Sequence, residues 1–585
     1  QLRWKVIDGL QLVGQAVIRK YDQDENVTNK KIINYDWDNN EVREKRTPNS
    51  AERRYQKTLS KNFTLYADYK KNFNDRHDLS VMVGTSHESE NYDRFTAKRI
   101  NFDQQENMSL QLGSAQDQNA WSEGNQWTIN SFFSRVNYTF ANKYVIEGTI
   151  RADGSSRFDP DHRWGWFPGV NAAWRVGEEG FMKRLGWFED LKVRASYGEM
   201  GNQSGIGLYD YIQLISLSND YYPFGAGVKG QMATSGNIIS TSRTWETIQT
   251  TNVGFDFSTL NNRLYGSFDY FWKENKNMLI PKTYPSMLGA DAPSTNSGHL
   301  SIHGWEISLG WRDQIKDFSY SVRFNISDAK NKVVDRVGSN LIQLGNNETP
   351  TGYPLNSYFG YEFDGIIQNE QELEAYKSRF SEGGIPGDLS VGDAMYKDLD
   401  GDGKLSVLGD GKEGSGDVKY LGDKNPRYNF GFNLSMAWKG FDLSAFIQGV
   451  GRRTMFLEGE SRCPMPEAWY QSAEYWYGKT WTPERTDAQY PAITLKDKRN
   501  YNYYVSTNTK FNVAYARLKN LQFGYTIPQT LTSKAGLQKV RVYFSGEDLF
   551  EVHNTPNGWD PEENSGSITS YPFTRNYSFG INVVF

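Results

Sequence analysis

The chain alternates. In residues 427 to 438, "RYNFGFNLSMAW", Tyr428, Phe430, Phe432, Leu434, Met436 and Trp438 fall on one side of an extended backbone. Arg427, Asn429, Gly431, Asn433, Ser435 and Ala437 fall on the other. A period of two is the signature of a strand with unlike faces. The same pattern sets Phe132, Val136, Tyr138 and Phe140 before the short turn "ANK" and Tyr144, Ile146 and Ile150 after it. It sets Val253, Phe255 and Phe257 before "NNR" and Leu264, Phe268, Tyr270 and Trp272 after it. Trp305, Ile307, Leu309 and Trp311 lead to Phe318, Tyr320, Val322, Phe324 and Ile326 in the same way. Leu521, Phe523, Tyr525 and Ile527 lead to Val540, Val542 and Phe544. These read as hairpins, and roughly sixteen such segments of about 9 to 15 residues are present, a length that crosses a bilayer at a tilt.

The connections are unequal. Tight turns at 141 to 143, 261 to 263 and 439 to 440 alternate with long segments at 203 to 245, 279 to 298, 337 to 424 and 457 to 510. Short turns on one side and long loops on the other are the plan of an outer-membrane barrel, whereas a soluble sandwich has no such asymmetry. Trp127, Trp164, Trp166, Trp272, Trp311 and Trp438 stand near strand ends, where indole rings suit a headgroup zone. The final segment places Tyr571, Phe573, Tyr577, Phe579, Ile581, Val583 and Phe585 on one face and ends on that Phe, like the insertion signal of bacterial outer-membrane barrels. Helix-compatible spacing is confined to 369–380 and 466–481, both inside long segments.

Composition narrows the class. At 585 residues, 37% hydrophobic and 15% aromatic, the chain carries enough apolar surface to fold, although its mean hydropathy is −0.70. No run of 18 apolar residues occurs, which excludes a transmembrane helix and leaves a membrane barrel open, because alternation keeps hydropathy low. A net charge of −5 gives no field that would gather nucleic acid. Cys463 is the single cysteine, so neither a disulfide framework nor a CxxC site exists. The opening residues "QLRWKVIDGLQLVGQAVIRKY" read as if already inside a strand and carry no leader pattern, which suggests a processed or truncated piece.

Candidate chemistry is sparse. In "DLDGDGKLS", Asp398, Asp400 and Asp402 take positions 1, 3 and 5 of a calcium loop, Gly403 the turn at position 6, and Lys404 a carbonyl at position 7. Position 12, where such a loop needs a bidentate acid, is Gly409, and Asp410 follows it. The flanks are not amphipathic helices, so the loop does not read as a sensor that opens on binding but either as a calcium site or as metal-free Asx turns. His77, His87, His162, His299, His303 and His553 are scattered without metal-ligand spacing. No nucleophile elbow, P-loop or dinucleotide fingerprint appears, so the chain is not read as an enzyme. Aromatics cluster in the long segments: Tyr221, Tyr222 and Phe224, then Trp469, Tyr470, Tyr475, Trp476, Tyr477 and Trp481. Such rings could stack on sugars, or pack loops onto one another or onto a partner.

"GDAMYKDLDGDGKLS", "GDKNPRYNFGFNLSMAWKGFDLSAFIQGVGRR", "AYARLKNLQFGYTIP" and the terminal "NYSFGINVVF" resemble the C-terminal barrel of SusC-like TonB-dependent transporters of the Bacteroidota. "NYTFANKYVIEGTIRADGSSRF", "WGWFPGVNAAWRV" and "DLKVRASYGEMGNQ" fit the same pattern. The resemblance implies an all-β transmembrane antiparallel barrel of about 22 strands with a plugged lumen, of which residues 1–585 form the C-terminal part without plug, TonB box or first strands. It also implies import of oligosaccharides or peptides across the outer membrane, a SusD-like surface lipoprotein acting as a lid, and energy from TonB, ExbB and ExbD. Family members commonly carry an acid near the twelfth loop position, where Gly409 stands here. The rival is a secreted or surface β-rich carbohydrate-binding or adhesin protein with calcium-stabilised loops, which would stay soluble without detergent.

Overall fold

The computed structural model describes residues 1–585 apart from 117, 219–222, 225–227, 230–231, 236–237, 282–286, 288–292, 337–344, 346–348, 409–415, 467–471, 495–496, 564–570 and 572. Among the described residues, seventeen strands belong to one sheet. In chain order they are β1 (Leu2–Ile7), β2 (Leu10–Asn29), β3 (Ser50–Phe73), β4 (His77–Ile100), β5 (Gln118–Phe140) and β6 (Tyr144–Ser155). There follow β7 (Trp164–Arg175), β8 (Asp190–Asn202), β9 (Glu246–Thr259), β10 (Leu264–Pro281), β11 (Ser294–Ile315) and β12 (Phe318–Asp335). The last are β13 (Arg427–Trp438), β14 (Phe441–Arg452), β15 (Tyr515–Thr526), β16 (Lys539–His553) and β17 (Asn576–Val584).

The chain falls into two compact units, one of 1–172, 198–248 and 284–296, the other of 173–197, 249–283 and 297–585. In the first, β1 to β6 pair antiparallel in sequence order. Directly opposed residues share a face, so the registers can be read as rows. Beside the tight turns runs Phe73–His77–Phe140–Tyr144. Ten residues further along β3, Phe63 lies opposite Ala16 and His87. Ten steps of strand cover about 34 Å, or ~26 Å at a 40° tilt, which matches the apolar height of an outer-membrane barrel. Within this belt Phe132 and Ile146 are each 57% exposed. Large apolar side chains that stand in the open along a continuous band need a solvent that is itself apolar.

The second unit repeats the device. Across β11 to β17 runs the row Ile315–Phe318–Trp438–Phe441–Tyr525–Val542–Ile581. The next row reads Asp313–Tyr320–Met436–Leu443–Phe523–Phe544–Phe579. Phe579 and Ile581 are 83% and 66% exposed. On the other face of this unit, Arg194 donates to Asp269 at 2.6 Å and to Asp256 at 3.2 Å, with Lys192 also 3.2 Å from Asp256. One face is thus apolar and the other charged and internally paired, as a lipid-facing wall around a wet interior requires.

The tight turns are those anticipated. Phe140 pairs with Tyr144 and Trp438 with Phe441, with Lys439 and Gly440 at φ 47° and 91°. That two-residue left-handed geometry matches the twist of the flanking strands. Three expectations need correction. Segment 279–298 is strand at both of its ends among the described residues, because β10 runs to Pro281 and β11 starts at Ser294. The helix expected at 466–481 is, among the described residues, a single 3-10 turn at Glu474–Trp476, since its rings pack on different partners instead of sharing one helical face; the helix at 369–380 is present as Glu370–Lys377. Trp127 lies on the polar face, opposite in parity to Phe132, with its indole N–H 3.4 Å from Glu90.

Candidate functional site

The buried core of the second unit lies in its long loops. One cluster gathers Tyr361, Ile367, Leu373, Tyr376, Leu389, Met395, Tyr396 and Tyr501. It is stitched by polar contacts: the Tyr376 hydroxyl accepts from the Tyr396 N–H at 2.9 Å, donates to the Tyr396 carbonyl at 3.1 Å and meets the Tyr501 hydroxyl at 2.9 Å. Burial pushes the Tyr376, Tyr396 and Tyr501 phenols upward. A second cluster holds Tyr475, Trp476, Tyr490, Tyr503, Val513 and Trp559.

That second cluster revises the reading of the loop aromatics. Tyr475, Trp476 and Trp481 are only 9%, 3% and 9% exposed. Trp476 stacks edge-on against Tyr475, Tyr490 and Tyr503. Trp481 donates its indole N–H to Gln368 at 3.0 Å, and a side chain at Gly392 would strike its ring. These rings hold loops together and present no free face to a sugar. Tyr221, Tyr222, Trp469 and Tyr470 lie outside the described residues, while Phe224 pairs through its backbone with Val228.

The acidic loop begins where the strand Ala394–Tyr396 ends. Asp398 accepts from the Gly401 N–H at 2.6 Å and from the Gly403 N–H at 2.9 Å, folding the chain back on itself. Gly401 and Gly403 sit at φ 74° and 75°, where a side chain would be strained. Asp400 accepts from Asp402 N–H at 3.1 Å, and Asp402 from Lys404 N–H at 2.7 Å. The carboxylates that converge are Asp398, Asp400 and Asp417, with one oxygen of each within 4.8 Å of the other two. Asp402 is not one of the three and accepts from the Lys404 N–H, and Asp410 lies outside the described residues.

Asp417 is the residue that spacing did not reveal. It precedes the strand Val418–Asp423, is fully buried, and accepts from Leu399 N–H at 2.6 Å and Ser406 N–H at 2.7 Å. Burial raises its carboxyl above the ordinary range against the pull of those two donors. Asp400 is raised too, first by desolvation and then by its acidic neighbours. Three hard carboxylate oxygens around one point are the donors calcium takes, and a divalent cation would relieve the crowding of like charge.

An exposed apolar belt, a charged inner face, tight turns opposite long folded loops and an aromatic row beside the turns together define an outer-membrane β-barrel. The chain belongs to the TonB dependent receptor-like, beta-barrel family, which matches residues 10–549. That family sits in the bacterial outer membrane and is one of receptors and transporters, not of enzymes. TonB-dependent receptor P3 of Formosa agariphila is 32% identical over 558 residues, covering 90% of this chain and 52% of that protein. TonB-dependent receptor SusC of Bacteroides thetaiotaomicron is 26% identical over 568 residues, covering 89% and 50%. A solved structure titled as the RagAB peptide transporter superposes with a TM-score of 0.80 at 22% identity, over 99% of this chain and 60% of that one. The chain spans about half the length of these curated relatives.

Proposed function

We propose that this chain is the wall of an active importer that carries an oligosaccharide or a peptide across the outer membrane. It works as the SusC-like half of a pair with a SusD-like surface lipoprotein, and TonB, ExbB and ExbD drive it through the remainder of the whole protein. The observation that supports this reading is the two-faced sheet: lipid-ready Phe132, Leu309 and Phe579 on one side, paired charges such as Arg194 with Asp256 and Asp269 on the other. A secreted adhesin would have to cover that belt. In cells carrying the full-length gene, deletion of TonB should abolish uptake, and purification should bring a surface lipoprotein with the barrel. Uptake that persists without TonB would overturn the reading.

A second reading concerns residues 398 to 417. Asp398, Asp400 and Asp417 would hold a calcium ion that stiffens the loop at its base, a role favoured by the delivery of the third carboxylate from a buried position. Chelation should then open this loop to protease while the barrel stays folded, and Asp417→Asn should do the same with calcium present. Equal protease resistance of the wild type with and without calcium would sink it.

A further inference from the structure

The polar face of β2, β3 and β4 carries a concavity of about 430 Å³, lined among others by Gln15, Arg19, Asn62, Thr64, Glu88 and Glu90. Register fixes who stands where. Arg19 faces Ser60, which faces Glu90, and one step along Val17 faces Asn62, which faces Glu88. Glu90 is held in place by the Ser60 hydroxyl at 2.7 Å and the Trp127 indole at 3.4 Å.

The charges around this patch are paired. Arg54 reaches Glu52 at 2.5 Å and Glu25 at 3.2 Å, Arg94 reaches Glu123 at 3.1 Å, and Arg151 reaches Asp153 at 2.8 Å. Arg19, Lys61 and Glu88 differ: among the described residues none of these three side chains has a hydrogen-bond or ion-pair partner. One guanidinium, one ammonium and one carboxylate, all unpaired, thus line the same hollow, with the amides of Gln15 and Asn62 and the hydroxyl of Thr64 between and beside them. From strand spacing and rise, Arg19 stands about 10 Å from Glu90 and about 12 Å from Glu88 between backbone positions. That span corresponds to about three extended residues of a bound peptide.

We propose that this hollow is a subsite for a short zwitterionic peptide segment, with Arg19 taking a carboxylate, Glu88 and Glu90 an ammonium, and the amides the peptide backbone. The proposal rests on the import reading and names the substrate class for it. A neutral glycan would leave both signs of charge unmatched, whereas a peptide gives each a charge-assisted hydrogen bond.

The test uses the full-length protein with its lipoprotein partner, and three probes: trialanine, N-acetyl-trialanine amide, and a neutral trisaccharide. Calorimetry should show trialanine bound, the capped peptide bound about tenfold or more weakly, and Arg19→Gln and Glu88→Gln each weakening trialanine by about tenfold or more without changing the other probes. Equal binding of capped and free peptide, or unchanged trialanine binding by both variants, overturns the proposal. So does a new protease cut in the variants' remaining domain with peptide affinity intact, because the hollow would then seat another segment of the protein. TonB-dependent uptake separates the two levels: a wild type that imports no solute at all refutes the import reading, while one that imports peptide as well as its variants do refutes only the subsite.

Discussion

The wall and the loops obey opposite rules. In the wall, Phe579 stands 83% exposed and Ile146 57% exposed, and the strands are stable in that state only in lipid. In the loops, Tyr376, Tyr490 and Trp476 are almost wholly buried, packed as a soluble domain packs. The same aromatic residues serve both regions, so composition does not separate them; what differs is the solvent each region meets and whether the apolar side chains recur with a period of two.

This contrast can be broken experimentally. The largest effect should come from Trp476→Ala, which empties the centre of an aromatic cluster and should cost about 3–5 kcal/mol of loop stability. Hydrogen exchange should rise across 455–513 while gel mobility of the folded barrel holds; loss of both together would mean loops and wall are one cooperative unit. Next, Leu434→Arg, in the belt row Trp311–Val322–Leu434–Ala445–Leu521, should cost about 2–4 kcal/mol in lipid unfolding titrations. Ser435→Lys, one residue on and facing the other way beside Ser321 and Ser444, should shift the same titration by less than ~0.5 kcal/mol. Equal costs would refute the assignment of faces.

A smaller effect, about 1–3 kcal/mol, is expected from Tyr376→Phe, which deprives the Tyr396 N–H and carbonyl of their shared partner. Alkali should single out the loops in a graded way. The buried tyrosines have raised pKa values, Tyr358 to about 12 by burial, so their contribution is intact below pH ~10, where unfolded tyrosine titrates, and is lost as pH climbs through the folded values. Tyrosinate absorbance and loop proteolysis should therefore rise together above pH ~10 before the sheet's amide bands change. Simultaneous loss of the sheet would count against separate stabilities.

Much of the wall was legible because a strand's parity is written in its sequence. Ile307 opposite Ile326, Leu309 opposite Phe324 and Trp311 opposite Val322 follow directly from alternation and a short turn. Parity fails where the ladder slips: the irregularity between Leu518 and Asn520 turns Arg517 and Leu518 to the faces their numbering would not give. Loop aromatics had no such period, so exposure and burial looked alike until Trp476 was seen against Tyr490 and Tyr503. Asp417 was hidden for a different reason. Its partners Asp398 and Asp400 are near in space through a fold-back, and spacing rules assume an uninterrupted loop. Arg19, Lys61 and Glu88 look in sequence like any other strand charges; the pairing of other charges near them sets them apart.

The knot at Asp417 also bears on how such proteins vary. Ser406 and Asp417 are tied to each other by backbone and side chain, at 2.9 Å and 2.7 Å, so the ten residues between them leave and return through one closed point. Doubling that insert adds only about 0.6 kcal/mol of closure entropy. Sequence added between Ser406 and Asp417 should therefore leave the strand pairing of the barrel unchanged, because the insert begins and ends at a point the chain itself ties shut.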